Sequence, residues 1–120
     1  MSINSCCFSG NATREPETKV SSVGSIYVTF GLAVNNRVFD AAKNDFVDTV
    51  VYVDFIAFGA NADYVKEHVH RGTKVFVEAK LEQSMYRDRE GKIKRWTSYR
   101  VVNIDAREDT KPKWTSPEWI

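Results

Sequence analysis

The chain has 120 residues, 42% hydrophobic and 28% charged, a balance suited to one globular domain and unlike that of a disordered or fibrous chain. Seventeen Lys and Arg face sixteen Asp and Glu, a net charge of +1, so any cationic binding surface has to be local. No apolar run approaches the ~20 residues of a membrane-spanning helix, Met1-Ser2-Ile3-Asn4 lacks the regions of a signal peptide, and Cys6 and Cys7 are adjacent, with no third or fourth cysteine for a metal site; a reducing, cytoplasmic setting is expected.

Taken in chain order, Ile3 to Gly10 reads as a first strand, with Ile3, Ser5 and Cys7 alternating with Asn4, Cys6 and Phe8. Asn11 to Gly24 is polar, contains Pro16 and reads as a loop with a short strand near Lys19-Val20. Ile26 to Val34 is rich in strand formers, Asn35 to Asp48 reads as a long hairpin loop, and Asp48 to Phe58 carries the strongest strand signal. Between Gly59 and Gly72 the period changes: Ala62, Val65 and Val69 recur at helical spacing, Asn61 can cap the start, and Gly72 can stop the end. Lys74 to Met85 and Ile93 to Ile104 are two more strands joined by Asp88-Arg89-Glu90-Gly91-Lys92. The remainder is polar with Pro112 and Pro117, so a domain over residues 1–105 and a flexible tail over 106–120 are expected. Three strands, one helix and two strands make an all-β chain, and the expected fold is a five-stranded OB-fold barrel. Its short helix lies between the third and fourth barrel strands, and a long hairpin joins the fourth to the fifth. An open antiparallel sheet with a helix on one face is the competing architecture.

Catalytic chemistry has little to work with. His68 and His70 are two residues apart at the expected helix end, a spacing that points them in different directions. One thiol of Cys6-Cys7 faces inward on a strand, as simple packing would have it. No glycine-rich phosphate loop occurs. The expected molecule is a binder without cofactor, metal or catalytic residues.

Binding of a single strand requires cations for phosphates and aromatic faces for bases. Tyr86 to Arg100 supplies both: Arg87, Arg89, Lys92, Lys94, Arg95 and Arg100 against Asp88 and Glu90, with Tyr86, Trp96 and Tyr99 interleaved. The first sixty residues carry four Lys/Arg and six Asp/Glu, so the positive charge is concentrated on one hairpin. On the central strand, parity puts Val51, Val53, Phe55 and Ala57 on one face and Tyr52, Asp54, Ile56 and Phe58 on the other. The first face is uniformly apolar and reads as core, which leaves Tyr52 and Phe58 on the wetter side. A solvated, merely solubilising hairpin and a buried Phe58 are the alternatives.

Several segments together carry a resemblance. They are Ser9-Gly10-Asn11 with Glu15-Pro16-Glu17, Phe30-Gly31-Leu32-Ala33-Val34-Asn35, Phe55-Ile56-Ala57-Phe58-Gly59, Tyr64-Val65, Arg71-Gly72-Thr73-Lys74-Val75-Phe76-Val77-Glu78, Leu81, and Tyr86-Arg87-Asp88. In this order and spacing the chain resembles the bacterial single-stranded DNA-binding protein family, the tetrameric OB-fold type, over Ile3 to Ile104. The resemblance implies sequence-independent binding of single-stranded DNA in replication, recombination and repair by a homotetramer or dimer of dimers. It implies base stacking at Tyr52, Phe58, Tyr86 and Trp96. Tyr stands at 52 and 86 where many members carry Trp, and the family's aromatic after Leu32-Ala33-Val34-Asn35 is carried to Phe39. Arg37, Lys80, Arg87, Arg89, Lys92, Lys94 and Arg95 are the implied phosphate contacts, with Arg14 and Arg71 as weaker ones. Many members end in an acidic tip that recruits replication and repair enzymes. Here the final residues are Trp114-Thr115-Ser116-Pro117-Glu118-Trp119-Ile120, so recruitment through that tip is not expected, and Trp114 and Trp119 could anchor a partner or fold back. A phage, plasmid or secondary-copy origin would fit such a variant. A protein-interaction module of a replication-restart (primosome) assembly, a preference for RNA, and a cysteine-based enzyme are the other readings.

Overall fold

The computed structural model of the chain describes residues 1–107. Seven elements follow one another: β1 (Cys6–Ala12), β2 (Glu17–Val20), β3 (Ile26–Asp40), β4 (Asp45–Phe58), α1 (Gly59–His68), β5 (Lys74–Arg87) and β6 (Ile93–Arg107). The strand order is β1-β5-β6-β4-β3-β2, and β1 also pairs with β3. That last pairing, Asn11 with Ala33 and Ala12 with Leu32, closes five strands into the expected OB-fold barrel and leaves β2 as an extra strand on the edge of β3. All ladders are antiparallel except β4–β6, where Phe55 pairs with Tyr99 and Ile56 with Arg100 in parallel. The fourth and fifth barrel strands are therefore β5 and β6.

From Val53 onward the core follows the parity of β4, whereas Val51, expected on the same apolar face, is 45% exposed. Val53, Phe55 and Ala57 are buried, as are Val28, Phe30 and Leu32 across the β3 ladder and Val75, Val77, Ala79 and Val101 on β5 and β6. Phe30 and Phe55 stack with centroids 5.2 Å apart, and Phe8 meets Phe55 edge-on at 5.5 Å. Tyr99, expected with the ring and cation groups of the last hairpin, is instead partly buried and packs against this core, 5.6 Å from Phe8, because it shares a face with buried Val101. The helix caps one end of the barrel through Ala62, Val65 and, just past its end, Val69, the three apolar positions of its pattern.

Several local expectations are corrected. The first strand begins at Cys6, not Ile3. Asn4 reaches the β5 edge with its side chain: its Nδ2 donates to the Leu81 carbonyl at 2.9 Å, and its Oδ1 accepts from the Leu81 N–H at 3.0 Å. Asn61 does not cap the helix. Phe58 is the N-cap, with no side-chain bond, and Asn61 Nδ2 instead donates to the carbonyls of Val101 and Val102 at 3.3 Å, tying the helix to β6. The helix stops at His68, ahead of Gly72, whose positive φ serves the following turn, where the Thr73 N–H donates to the His70 carbonyl.

The largest difference concerns Asn35 to Asp48. The expected loop is a continuation of the β3–β4 ladder out to Asp40 and Asp45, closed by residues 41–44. Asp40 Oδ1 accepts the Ala42 N–H at 2.9 Å, and Asn44 adopts φ 50°, a value that Asn tolerates. A second long hairpin, β5–β6, ends where Asp88 Oδ1 accepts from the N–H groups of Glu90 and Lys92, both at 2.9 Å, with Gly91 at φ 80°. β6 runs on to Arg107, past the expected end at Ile104. Both hairpins project beyond the barrel. The Cα radius of gyration is 17.8 Å, against about 13 Å for a compact domain of 100 residues. Of the tail expected over residues 106–120, Ala106 and Arg107 instead pair with Val75 and Lys74 as the end of β6, and the rest, with Trp114 and Trp119, lies outside the described residues.

Candidate nucleic-acid interface

Directly paired residues in a ladder share a face, so the registers place each candidate. On β3 and β4 the outer face carries Tyr27 with Phe58, Thr29 with Ile56, Gly31 with Asp54, Ala33 with Tyr52, Arg37 with Asp48 and Phe39 with Phe46. On β5 and β6 it carries Lys80 with Arg100, Glu82 with Ser98, Ser84 with Trp96 and Tyr86 with Lys94. The parallel pair Ile56–Arg100 joins the two halves into one surface. Phe58 is half-buried but outside the core: it lies 5.7 Å from Tyr27 and under the Arg100 guanidinium, 4.4 Å from the ring centroid.

Apart from Tyr27 and Phe58, the rings on this surface are open to solvent. Tyr52 is 74% exposed, Trp96 60%, Tyr86 53%, and Phe39 and Phe46 54% each. An exposed Trp on a strand has no packing reason to be there, and a flat ring in water presents a face on which a base can stack. Lys80, Lys94 and Arg37 stand among them, none with an acidic partner within salt-bridge distance among the described residues. Arg100 sits 3.9 Å from Glu82. At the distal end of β3–β4, Phe39 meets Phe46 edge-on at 5.4 Å and the Arg37 guanidinium lies 5.5 Å above the Phe46 ring.

Eight of the expected contact residues thus share one face: Tyr52, Phe58, Tyr86, Trp96, Phe39, Arg37, Lys80 and Lys94. Arg87 and Arg95 do not. They pair with Ile93 and Met85 and project from the opposite face of the same hairpin, since each neighbours Tyr86 or Trp96 in sequence and alternation sends neighbours to opposite sides. Arg89 and Lys92 are at the hairpin tip, Lys92 being 3.9 Å from Glu90. Arg71 is in the turn before β5, and its backbone N–H donates to Glu15 at 2.6 Å. Arg14 reaches the face from the β1–β2 connection and pairs with Asp54 at 3.2 Å.

Residue reasoning passed over Tyr27 and Phe46. The signal for both is the β3–β4 register, which sets them against Phe58 and Phe39, and no spacing within one strand reveals a partner on another. His68 and His70 have different partners: the His68 ring lies tilted against Tyr64 with centroids 4.5 Å apart, and His70 Nδ1 is 3.1 Å from Glu15. Cys6 is half-buried and Cys7 exposed, neither in a disulfide. Among the described residues no cluster of three or more His, Cys, Asp or Glu could hold a metal ion, and no helix is long and apolar enough to cross a membrane.

Comparison with known proteins places the chain in context. The single-strand binding protein family model matches residues 3–107. The single-stranded DNA-binding protein of Fusobacterium nucleatum is 31% identical over 114 residues, covering 95% of this chain and 71% of that one. The single-stranded DNA-binding protein of Bacteroides thetaiotaomicron is 28% identical over 106 residues, 88% of this chain and 66% of that one. These relatives are thus longer than the part this chain spans. The Plasmodium falciparum SSB, solved in complex with ssDNA, superposes with a TM-score of 0.73 at 20% identity over 89% of this chain and 97% of its own, a likeness of fold.

Proposed function

From the premise that this chain belongs to the single-strand binding protein family, we propose that it binds single-stranded DNA along the outer face of β3–β4 and β5–β6, as a binding protein and not a catalyst. The observation that carries the reading is the continuous surface on which Tyr52, Phe58, Trp96 and Tyr86 alternate with Lys80, Lys94 and Arg100. Each stacked base contributes ~1–3 kcal/mol, whatever its identity, because every base has a π-face. The cations add an ionic part that weakens as salt rises, since counterions released from the phosphates are less favourable to release into concentrated salt. Duplex DNA hides its base faces and forfeits the first contribution. The biological task is to cover exposed strands in replication, recombination and repair, in the cytoplasm.

The assembly belongs to the same proposal: a homotetramer. The outer side of β1–β5–β6 leaves Phe76 40% exposed beside a cavity of about 480 Å³, and the far side of the β5–β6 hairpin leaves Met85 and Ile93 63% and 57% exposed. Such apolar surface is covered in an oligomer. Several linked tracks would then raise affinity through effective concentration. The decisive experiment titrates oligo(dT) of increasing length at two salt concentrations, follows tryptophan fluorescence, and measures the mass of the complex. Strong quenching, a length-dependent footprint and four chains per complex are expected. Equal affinity for duplex and single strand would overturn the binding mode, and a monomeric complex would overturn the assembly.

A further inference from the structure

Asp54 is out of place on a surface for a polyanion. Its side chain is 80% exposed, one register step from Tyr52 and from Ile56 on the ring face of β4. A lone carboxylate there would repel phosphate. It is not alone: Arg14 Nη1 donates to Asp54 Oδ1 at 3.2 Å, across the strand from the β1–β2 connection.

The room for this pair is made by Gly31, which faces Asp54 in the ladder. A Cβ added at Gly31 would come within 2.5 Å of Arg14 Nη1, 2.9 Å of Asp54 Oδ1 and 2.9 Å of Thr13 Oγ1. The pair fills the place of a side chain. It is joined by that single bond, so Asp54 Oδ2 and the remaining guanidinium N–H groups have no hydrogen-bond partner among the described residues. Arg14 and Asp54 line one open cavity of about 280 Å³ together with Trp96, Tyr27 and Ile56. Ring, donor and acceptor therefore border the same space.

We propose that the Arg14–Asp54 pair reads the edge of a base held against Trp96 and favours guanine over thymine there. This rests on the single-strand reading above. Arg14 and Asp54 together carry no net charge and give a phosphate little, because what Arg14 attracts Asp54 repels; the cation left for phosphate is Lys19, which lines the same cavity. A base edge is different. Guanine presents the O6 acceptor next to the N1–H and N2–H donors, matching in order a guanidinium donor beside a carboxylate acceptor, with charge assistance on both. Thymine presents one N–H between two carbonyl oxygens, and those oxygens face the carboxylate with like polarity. Cytosine and adenine present one amino donor beside a ring-nitrogen acceptor, so the carboxylate gains one bond where guanine gives it two, and they fall between. The preference acts at one position, while the other rings accept any base, so the track as a whole stays permissive. Discrimination comes as much from what Asp54 rejects as from what it holds.

Three single strands of equal length test this: all-dT, dT with isolated dG at regular intervals, and the same with deoxyinosine, whose base lacks the N2 amino group. Competition read by tryptophan fluorescence at one salt concentration gives the ratios. The wild-type chain is expected to bind the dG strand about fivefold tighter than all-dT, the low end of a bidentate base contact, with deoxyinosine intermediate. Asp54→Ala is expected to erase the ratio and to bind all-dT more tightly, because Arg14 is released to phosphate. Arg14→Ala, leaving the carboxylate uncompensated, is expected to weaken binding to all three. Equal wild-type affinities for dG and dT strands, or a ratio that survives Asp54→Ala, overturn the proposal. The inosine arm needs no variant to fold. Failure to bind all-dT at all would instead count against the single-strand reading itself.

Discussion

The barrel and the two hairpin arms are made of the same ladders, yet they use their side chains in opposite ways. In the barrel, one face of each strand is closed off: Phe30, Leu32, Phe55 and Val75 have no solvent exposure. Beyond it, β3–β4 and β5–β6 keep their backbone pairing with no core beneath them among the described residues, and Phe39, Phe46, Tyr86 and Trp96 remain open on one side. Pairing needs only backbone groups, so a strand can outrun its core. What the extension acquires is surface, and here that surface is aromatic and cationic. Buried contacts are concentrated in the barrel and the exposed rings Phe39, Phe46, Tyr86 and Trp96 on the arms, so the two can be perturbed separately.

The harshest way to break that separation is Phe55→Ala, which removes the ring at the centre of the Phe8, Phe30 and Tyr99 contacts. A stability loss of about 3–5 kcal/mol is expected, read by denaturant unfolding. Next comes Tyr86→Ala with Trp96→Ala. More than about tenfold weaker oligo(dT) binding is expected from two lost stacking faces, at an unchanged unfolding midpoint, since both rings stand outside the core. A shared loss of stability would show that the arms are part of the folding unit. Smaller is the effect of Lys94→Ala, which should flatten the slope of log affinity against log salt by roughly 0.7, one phosphate contact on a single strand. Arg95→Ala sharpens the comparison within a single arm. Facing the other way from Trp96, Arg95 should contribute less than Lys94 to a bound strand, and an equal or larger effect of Arg95 would mean that DNA passes over both faces of the hairpin.

Much of the fold was legible along the chain because parity survives wherever a core lies under a strand. Val53, Phe55 and Ala57 alternate with Tyr52, Asp54 and Ile56, and the barrel follows that alternation. The same rule failed at Asn35 to Asp48, where both faces of the arm are wet and the residues therefore resemble a loop. It also failed at the ends of elements. Asn4 and Asn61 have side chains that can bond locally, yet both spend them on distant backbone, Leu81 in one case and Val101 and Val102 in the other.

Composition and local pattern, taken by themselves, determined an all-β fold with one helix, a core face on the central strand, and a hairpin dense in rings and cations. They did so because alternation, turn residues and charge density are properties of neighbours along the chain. Only the tertiary structure decided which rings and cations meet. Register across β3–β4 brought Tyr27 to Phe58 and Phe46 to Phe39, the parallel β4–β6 pairing set Arg100 over Phe58, and the closed ladder turned Tyr99 inward. The absence of a side chain at Gly31 let Arg14 reach Asp54. Contacts between strands depend on register and closure, which are set by packing the whole barrel and are written in no single segment.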